Sequence, residues 1–172
     1  VTATRVPATF DAELLQLYLS DHLSGSAAGL SRVRRMAEQY AGSPMAETLR
    51  EIAHEIDDEQ NRLQRLIDTL GLKPLRHRQV LAWTAEKLGR LKLNGRVLTT
   101  SPMTPLLEME LMRSAVIGKL GLWETLTEIG AELGEDPEEF RRYADLARSQ
   151  ADRLGELHGR VRDGALRPQP SD

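Results

Sequence analysis

A single apolar stripe with one polar interruption constrains this chain more than any other feature. Between residues 49 and 70, Leu49, Ile52, Ala53, Ile56, Leu63, Leu66, Ile67 and Leu70 recur at helical spacing. That pattern marks a long amphipathic helix with one buried face. Glu59 and Gln60 break the stripe near its middle. A carboxylate carried into a helical core needs a partner there, because an unpaired buried charge is costly. The chain is therefore expected to join polar groups at half height between packed helices.

Three more long segments have helical periodicity. Pro7 suits a first turn, and residues 10–40 read as one helix. Its apolar side runs Leu14, Leu15, Tyr18, Gly25, Gly29, Val33, Met36 and Tyr40, with His22 on the same side. Gly25 and Gly29 there predict either a close helix crossing or a kink. Gly42-Ser43-Pro44 is a compact turn, with Ser43 as cap and Pro44 as first helical residue. It folds the second helix back on the first until Gly71 and Pro74 stop it. Residues 104–129 open with Thr104 as cap and Pro105 in the first turn. They continue through Leu106, Met109, Met112, Val116, Ile117, Trp123 and Leu126. This helix is apolar on most sides and is expected to be the most enclosed. Gly134 can end it. Asp136 and Glu139 have the form of a capping box for a last helix that carries Phe140, Tyr143, Ala147, Ala151, Leu154, Leu157 and Val161 on one face.

Residues 72–104 join the two helix pairs. Their centre, residues 75–93, reads as a shorter amphipathic helix with Val80, Leu81, Ala85, Leu88 and Leu91 on one side. Asn94-Gly95 ends it, and residues 98–104 read as loop. The segment is basic: Lys73, Arg76, Arg78, Lys87, Arg90, Lys92 and Arg96 stand against Glu86 alone. Such a patch can meet an anionic membrane or a nucleic acid. It more commonly pairs with acidic faces of its own protein, and no helix-turn-helix or RNA-binding motif accompanies it.

No strand pattern and no fixed-period repeat is present. The expected fold is all-α: an antiparallel four-helix bundle of two hairpins with a long helical crossover between the second and third long helices. At 172 residues the chain fits a single domain. Its core spans about residues 8–164, with residues 165–172 as a tail. Hydrophobic content of 40% against 28% charged residues suits a folded globular chain. No apolar run reaches membrane-span length, and residues 1–7 lack a signal-peptide core, so a cytoplasmic location is expected. Without cysteine, disulfides, thiolate metal sites and cysteine nucleophiles are excluded. There is no phosphate-binding glycine loop and no nucleophile elbow. No catalytic residue is identified.

The inward polar residues are His22, Glu59, Gln60 and Gln150. Reflecting the chain about its two turns brings His22, Glu59 and Gln150 to mid-bundle. The leading expectation is a hydrogen-bonded cluster that fixes helix register. The alternative is one metal ion held by His22 and Glu59 with water. Glu51, His54 and Asp58 point away from the stripe, with Glu51 or Glu55 expected to pair with Arg32 and Arg35. Glu108 and Glu110 fall near Arg162 and Arg160.

The order of helices resembles the ferritin-like superfamily, in particular its small bacterial stress-associated members. Asp21 and His22 on the first helix, Glu51-Ile52-Ala53-His54 on the second, and Glu108 and Glu110 on the third are similar to its di-iron ligand pattern. The resemblance spans about residues 10–161. The last helix carries no Glu-x-x-His, so the implied di-iron set is incomplete. The resemblance implies a non-catalytic structural or interaction protein that self-associates as a homodimer. A reduced iron or manganese site is the alternative.

Overall fold

Asp11 starts the first helix. In the computed structural model, which describes residues 5–73 and 103–167, its carboxylate accepts from the backbone N–H groups of Glu13 and Leu14. Helix α1 then runs Ala12–Gln39, beginning two residues later than periodicity alone places it. Side-chain capping of otherwise unpaired N–H groups sets that boundary. Gly42 takes φ 83° in the turn, a conformation that costs a residue with a Cβ. Helix α2, Pro44–Thr69, follows. Ser43 occupies its cap position but spends its hydroxyl on the Tyr40 carbonyl, at 2.7 Å. Gly71, at φ 67°, ends the hairpin.

Helix α3 spans Thr104–Ile129 and helix α4 spans Pro137–Ala165. Thr104 is the first helical residue of α3 and not its cap, a position held by Met103. Gly134, at φ 77°, lies in the turn beyond α3. Asp136 caps α4 through the Glu138 N–H. The reciprocal half of a capping box is not made, because the Glu139 carboxylate is turned to Arg62. The basic positions Arg76, Arg78, Lys87, Arg90, Lys92 and Arg96, the expected helix at 75–93, and Trp83 all lie outside the described residues. Lys73 is exposed, and its carbonyl accepts from Gln16 at 2.5 Å.

The described chain is all-helical, four α-helices without a strand. They form a ring in which α1 packs on α2, α2 on α4, α4 on α3 and α3 on α1. Inter-helix pairs give the register. Ser26 meets Gln60 and Arg34 meets Asp57 between α1 and α2. Glu110 meets His158 and Glu124 meets Arg148 between α3 and α4. Along each pair, position rises in one helix as it falls in the other.

The core holds the α2 stripe (Leu49, Ile52, Ile56, Leu63, Leu66, Ile67 and Leu70) against Leu19, Val33 and Met36 of α1 and Met109, Met112, Trp123 and Phe140 of the second pair. Two expectations need correction. Helix α3 is not enclosed on most sides: Ile117 is 51% exposed, and Gly118 and Gly121 are exposed. Its buried residues form one stripe through Met109, Met112, Val116, Trp123 and Leu126. Nor do Gly25 and Gly29 mark a close crossing. A Cβ built on either, or on Gly118 or Gly121, meets no heavy atom within 4 Å. The described links between α1 and α3 lie toward their ends, Tyr18 with Thr125 and Arg32 with Glu108.

Candidate functional site

The interruption in the α2 stripe leads to the centre of the ring. Glu59 is 1% exposed and Gln150, on α4, is 0% exposed. Gln150 Nε2 donates to Glu59 Oε1 at 2.8 Å. From α3, Lys119 Nζ lies 2.8 Å from the carboxylate, close to both oxygens. The indole Nε1–H of Trp123, one turn further on, donates to Glu59 Oε2 at 2.8 Å. Three helices thus meet at one carboxylate, which takes three donors and has room for about four hydrogen bonds.

The network extends through Gln150. Its Oε1 accepts from Lys119 Nζ, while its Nε2 also reaches Glu55 Oε2 at 3.0 Å. The amide is oriented by charge, with oxygen toward the ammonium and nitrogen toward the two carboxylates. Arg153 of α4 closes the outer edge by donating to Glu55, and stands 3.6 Å from Glu51. Burial pushes the Lys119 pKa down from 10.5, opposed by the Glu59 carboxylate alongside. Trp123 is held by stacked rings, Tyr143 at 4.7 Å and Phe140 at 6.1 Å between centroids.

One turn along α2, Arg62 is 6% exposed. It clasps Glu139 through Nε and Nη2 at 2.9 and 2.8 Å, reaches Glu135 at 2.6 Å, and lies 5.0 Å from the Phe140 ring centroid. The Arg62 hydrogen bond holds the Glu139 carboxyl below 4.5. The same bonds to Glu139 and Glu135 raise the Arg62 pKa against the opposing effect of its burial.

Of the residues singled out by sequence, Glu59 and Gln150 come together. Gln60 does not join them: its Oε1 accepts from Ser26 on α1, at 3.4 Å. His22 packs edge-on to Tyr18 with ring centroids 4.7 Å apart, and burial pushes its pKa down from 6.5. The bonds of Glu59 go to α3 and α4, so the expected meeting of His22 with Glu59 is not made. Among the described residues no group of three or more His, Asp or Glu side chains is placed to hold a metal ion.

The other ion pairs also differ from expectation. Glu51 and Glu55 pair with Arg153, not with Arg32 and Arg35. Glu108 pairs with Arg32, and Glu110 with His158 at 3.2 Å. Glu51, Glu55 and Glu108 thus turn to a helix outside their own hairpin, whereas Glu110 stays within its hairpin and meets His158 two residues from the expected Arg160. His54 is exposed and lines an open groove between α1 and α2 with Arg34, Glu38 and Arg50.

Sequence reasoning missed Lys119, Trp123 as a donor, and Arg62. The signal for Lys119 was present, since it falls between Val116 and Trp123 on the buried stripe of α3. No helix among the described residues is long and apolar enough to cross a membrane. Comparison with protein-family models, with curated proteins and with solved structures finds no significant match to this chain.

Proposed function

We propose that this chain is a ferritin-like antiparallel four-helix bundle whose centre is filled by its own cation, and that its role is structural or one of protein interaction. The observation that carries this reading is the Lys119–Glu59 pair. The superfamily it resembles keeps metals at mid-bundle, held by carboxylates and histidines. Here the mid-bundle carboxylate accepts from an ammonium, an amide and an indole. A divalent cation at Glu59 would have to displace Lys119 and would face the nearby Arg153. The centre is therefore a register device: three helices must be correctly stacked before the charges are satisfied. Self-association as a homodimer belongs to this reading, supported by the exposed apolar side chains of Leu14 and Leu17 on α1 and Ile117 on α3, which are 65%, 40% and 51% exposed.

Elemental analysis tests it. The untagged protein, produced with iron, manganese or zinc in excess, is expected to carry no stoichiometric metal. One ion per chain, lost on Glu59→Gln, would instead establish a reduced metal site at the centre. Light scattering after size-exclusion chromatography reads the association state, and a monomer at high concentration counts against the dimer.

A further inference from the structure

Helices α1 and α2 enclose an open groove of ≈ 550 Å³ next to their hairpin turn, a volume in the range of small-molecule sites. Its floor is alanine. Ala37 and Ala53 are buried, and Ala41 carries the floor toward the turn. A bare methyl at each of these positions leaves a hollow where larger side chains would interlock the two helices. At the far end the Arg34 guanidinium crosses from α1 to Asp57 on α2, at 3.0 Å. Arg50 and His54 stand one turn apart on the α2 wall, and Glu38 stands on the α1 wall. All three are exposed, and among the described residues none of their side chains has a hydrogen bond or an ion pair.

We infer that this groove binds a small zwitterion with an apolar side chain, a ligand of the amino-acid class. The two walls and the floor ask for different chemistry. The Arg50 guanidinium can only donate, His54 brings a ring N–H, and an ionised Glu38 can only accept. A carboxylate set between Arg50 and His54 gains charge-assisted hydrogen bonds. An ammonium on the opposite side meets Glu38. Hydrocarbon lying along the floor covers the methyls of Ala37, Ala41 and Ala53 and takes their apolar surface out of water. A simple anion would face Glu38 across the groove, and a simple cation would face Arg50. Arg34 is engaged by Asp57, so it closes the groove and leaves the charge of the ligand to the other three groups.

The test is a chemical-shift titration of the ¹⁵N-labelled full chain with three probes: L-phenylalanine, phenylacetate, which lacks the ammonium, and phenethylamine, which lacks the carboxylate. L-Phenylalanine is expected to shift the amides of Ala37, Ala41, Ala53 and His54 and to saturate at millimolar concentration, as suits a small ligand in an open groove. Each half-ligand should bind more weakly, by up to about fivefold for the loss of one exposed charge pair. The variants should show a crossed pattern. Arg50→Gln weakens L-phenylalanine and phenylacetate and spares phenethylamine, whereas Glu38→Gln weakens L-phenylalanine and phenethylamine and spares phenylacetate. The absence of saturable shifts at these amides overturns the inference. So does equal binding of the three probes, which would mean hydrocarbon contact alone, and so does tighter binding of either half-ligand than of L-phenylalanine. Should a variant not fold, the three probes on the wild-type protein decide by the same criteria.

Discussion

The indole N–H of Trp123 reaches the Glu59 carboxylate at 2.8 Å between α3 and α2, two helices that are not neighbours in the ring. Only long side chains can bridge such a diagonal. Lys119 does the same one turn away. The polar centre therefore couples α2 to α3 and, through Gln150, to α4. Lys119→Met leaves Glu59 charged, buried and short of one donor. The expected loss is about 3–5 kcal/mol in urea unfolding, the usual cost of orphaning a buried charge. In Glu59→Gln/Lys119→Met the side-chain carbonyl still accepts from Trp123 and no bare charge remains, so the double variant should lose less than the single. Equal losses would show that the charge pair is not what holds the centre.

Arg62 gives the contact between α2 and α4 an acid-sensitive clasp. Its hydrogen bond keeps the Glu139 carboxyl below its ordinary 4.5. A carboxylate whose pKa is lower folded than unfolded stabilises the fold fully above the unfolded value. That contribution fades as pH falls through the folded value, once Glu139 protonates in both states. Glu139→Gln should therefore be less stable than wild type at neutral pH, with the gap closing well below pH 4.5. Chemical denaturation of both proteins across that range checks it, and a gap independent of pH would refute the charge-based account.

The helices and their turns were legible because each rests on local chemistry: the α2 stripe, Gly42 and Gly71 at positive φ, Asp136 at a cap. The pairing of Glu59 with Gln150 was legible too, because the register of two helices in a hairpin follows from the position of the turn between them. What was not legible depended on which way side chains lean across the ring. Lys119 is a long, flexible chain on a stripe of apolar residues, and its inward path is set by the charge waiting at Glu59. His22 shares a face with buried residues of α1, yet its ring contact is with Tyr18. Periodicity assigns a face, roughly a third of a helix's circumference, and cannot choose between two neighbours within it.

The glycines separate two kinds of position. Gly25 and Gly29 lie within α1, with open space where a Cβ would stand. Alanine there should stabilise the protein, by about 0.5–1 kcal/mol at each site. Gly130 is the contrast: a Cβ would come within 2.7 Å of the Leu126 carbonyl oxygen and 3.0 Å of the Phe140 ring. Gly130→Ala should destabilise. Thermal or urea melts of the three variants read the signs directly. Destabilisation by Gly25→Ala, with a change in apparent mass, would mean that another chain packs against that face of α1.

His22 should make the fold lose stability on mild acidification. Burial holds its pKa below 6.5, against the raising influence of Asp21. In the unfolded chain the ring takes its proton near the ordinary value, before the folded chain does. Over that window the unfolded state binds more protons, so stability rises with pH and falls as pH drops below about 6.5. His22→Gln carries no titrating ring at that position and should flatten that part of the profile. Urea midpoints measured for wild type and His22→Gln on either side of the window provide the test. Parallel profiles would show that the His22 ring charges in the fold as freely as it does in the unfolded chain.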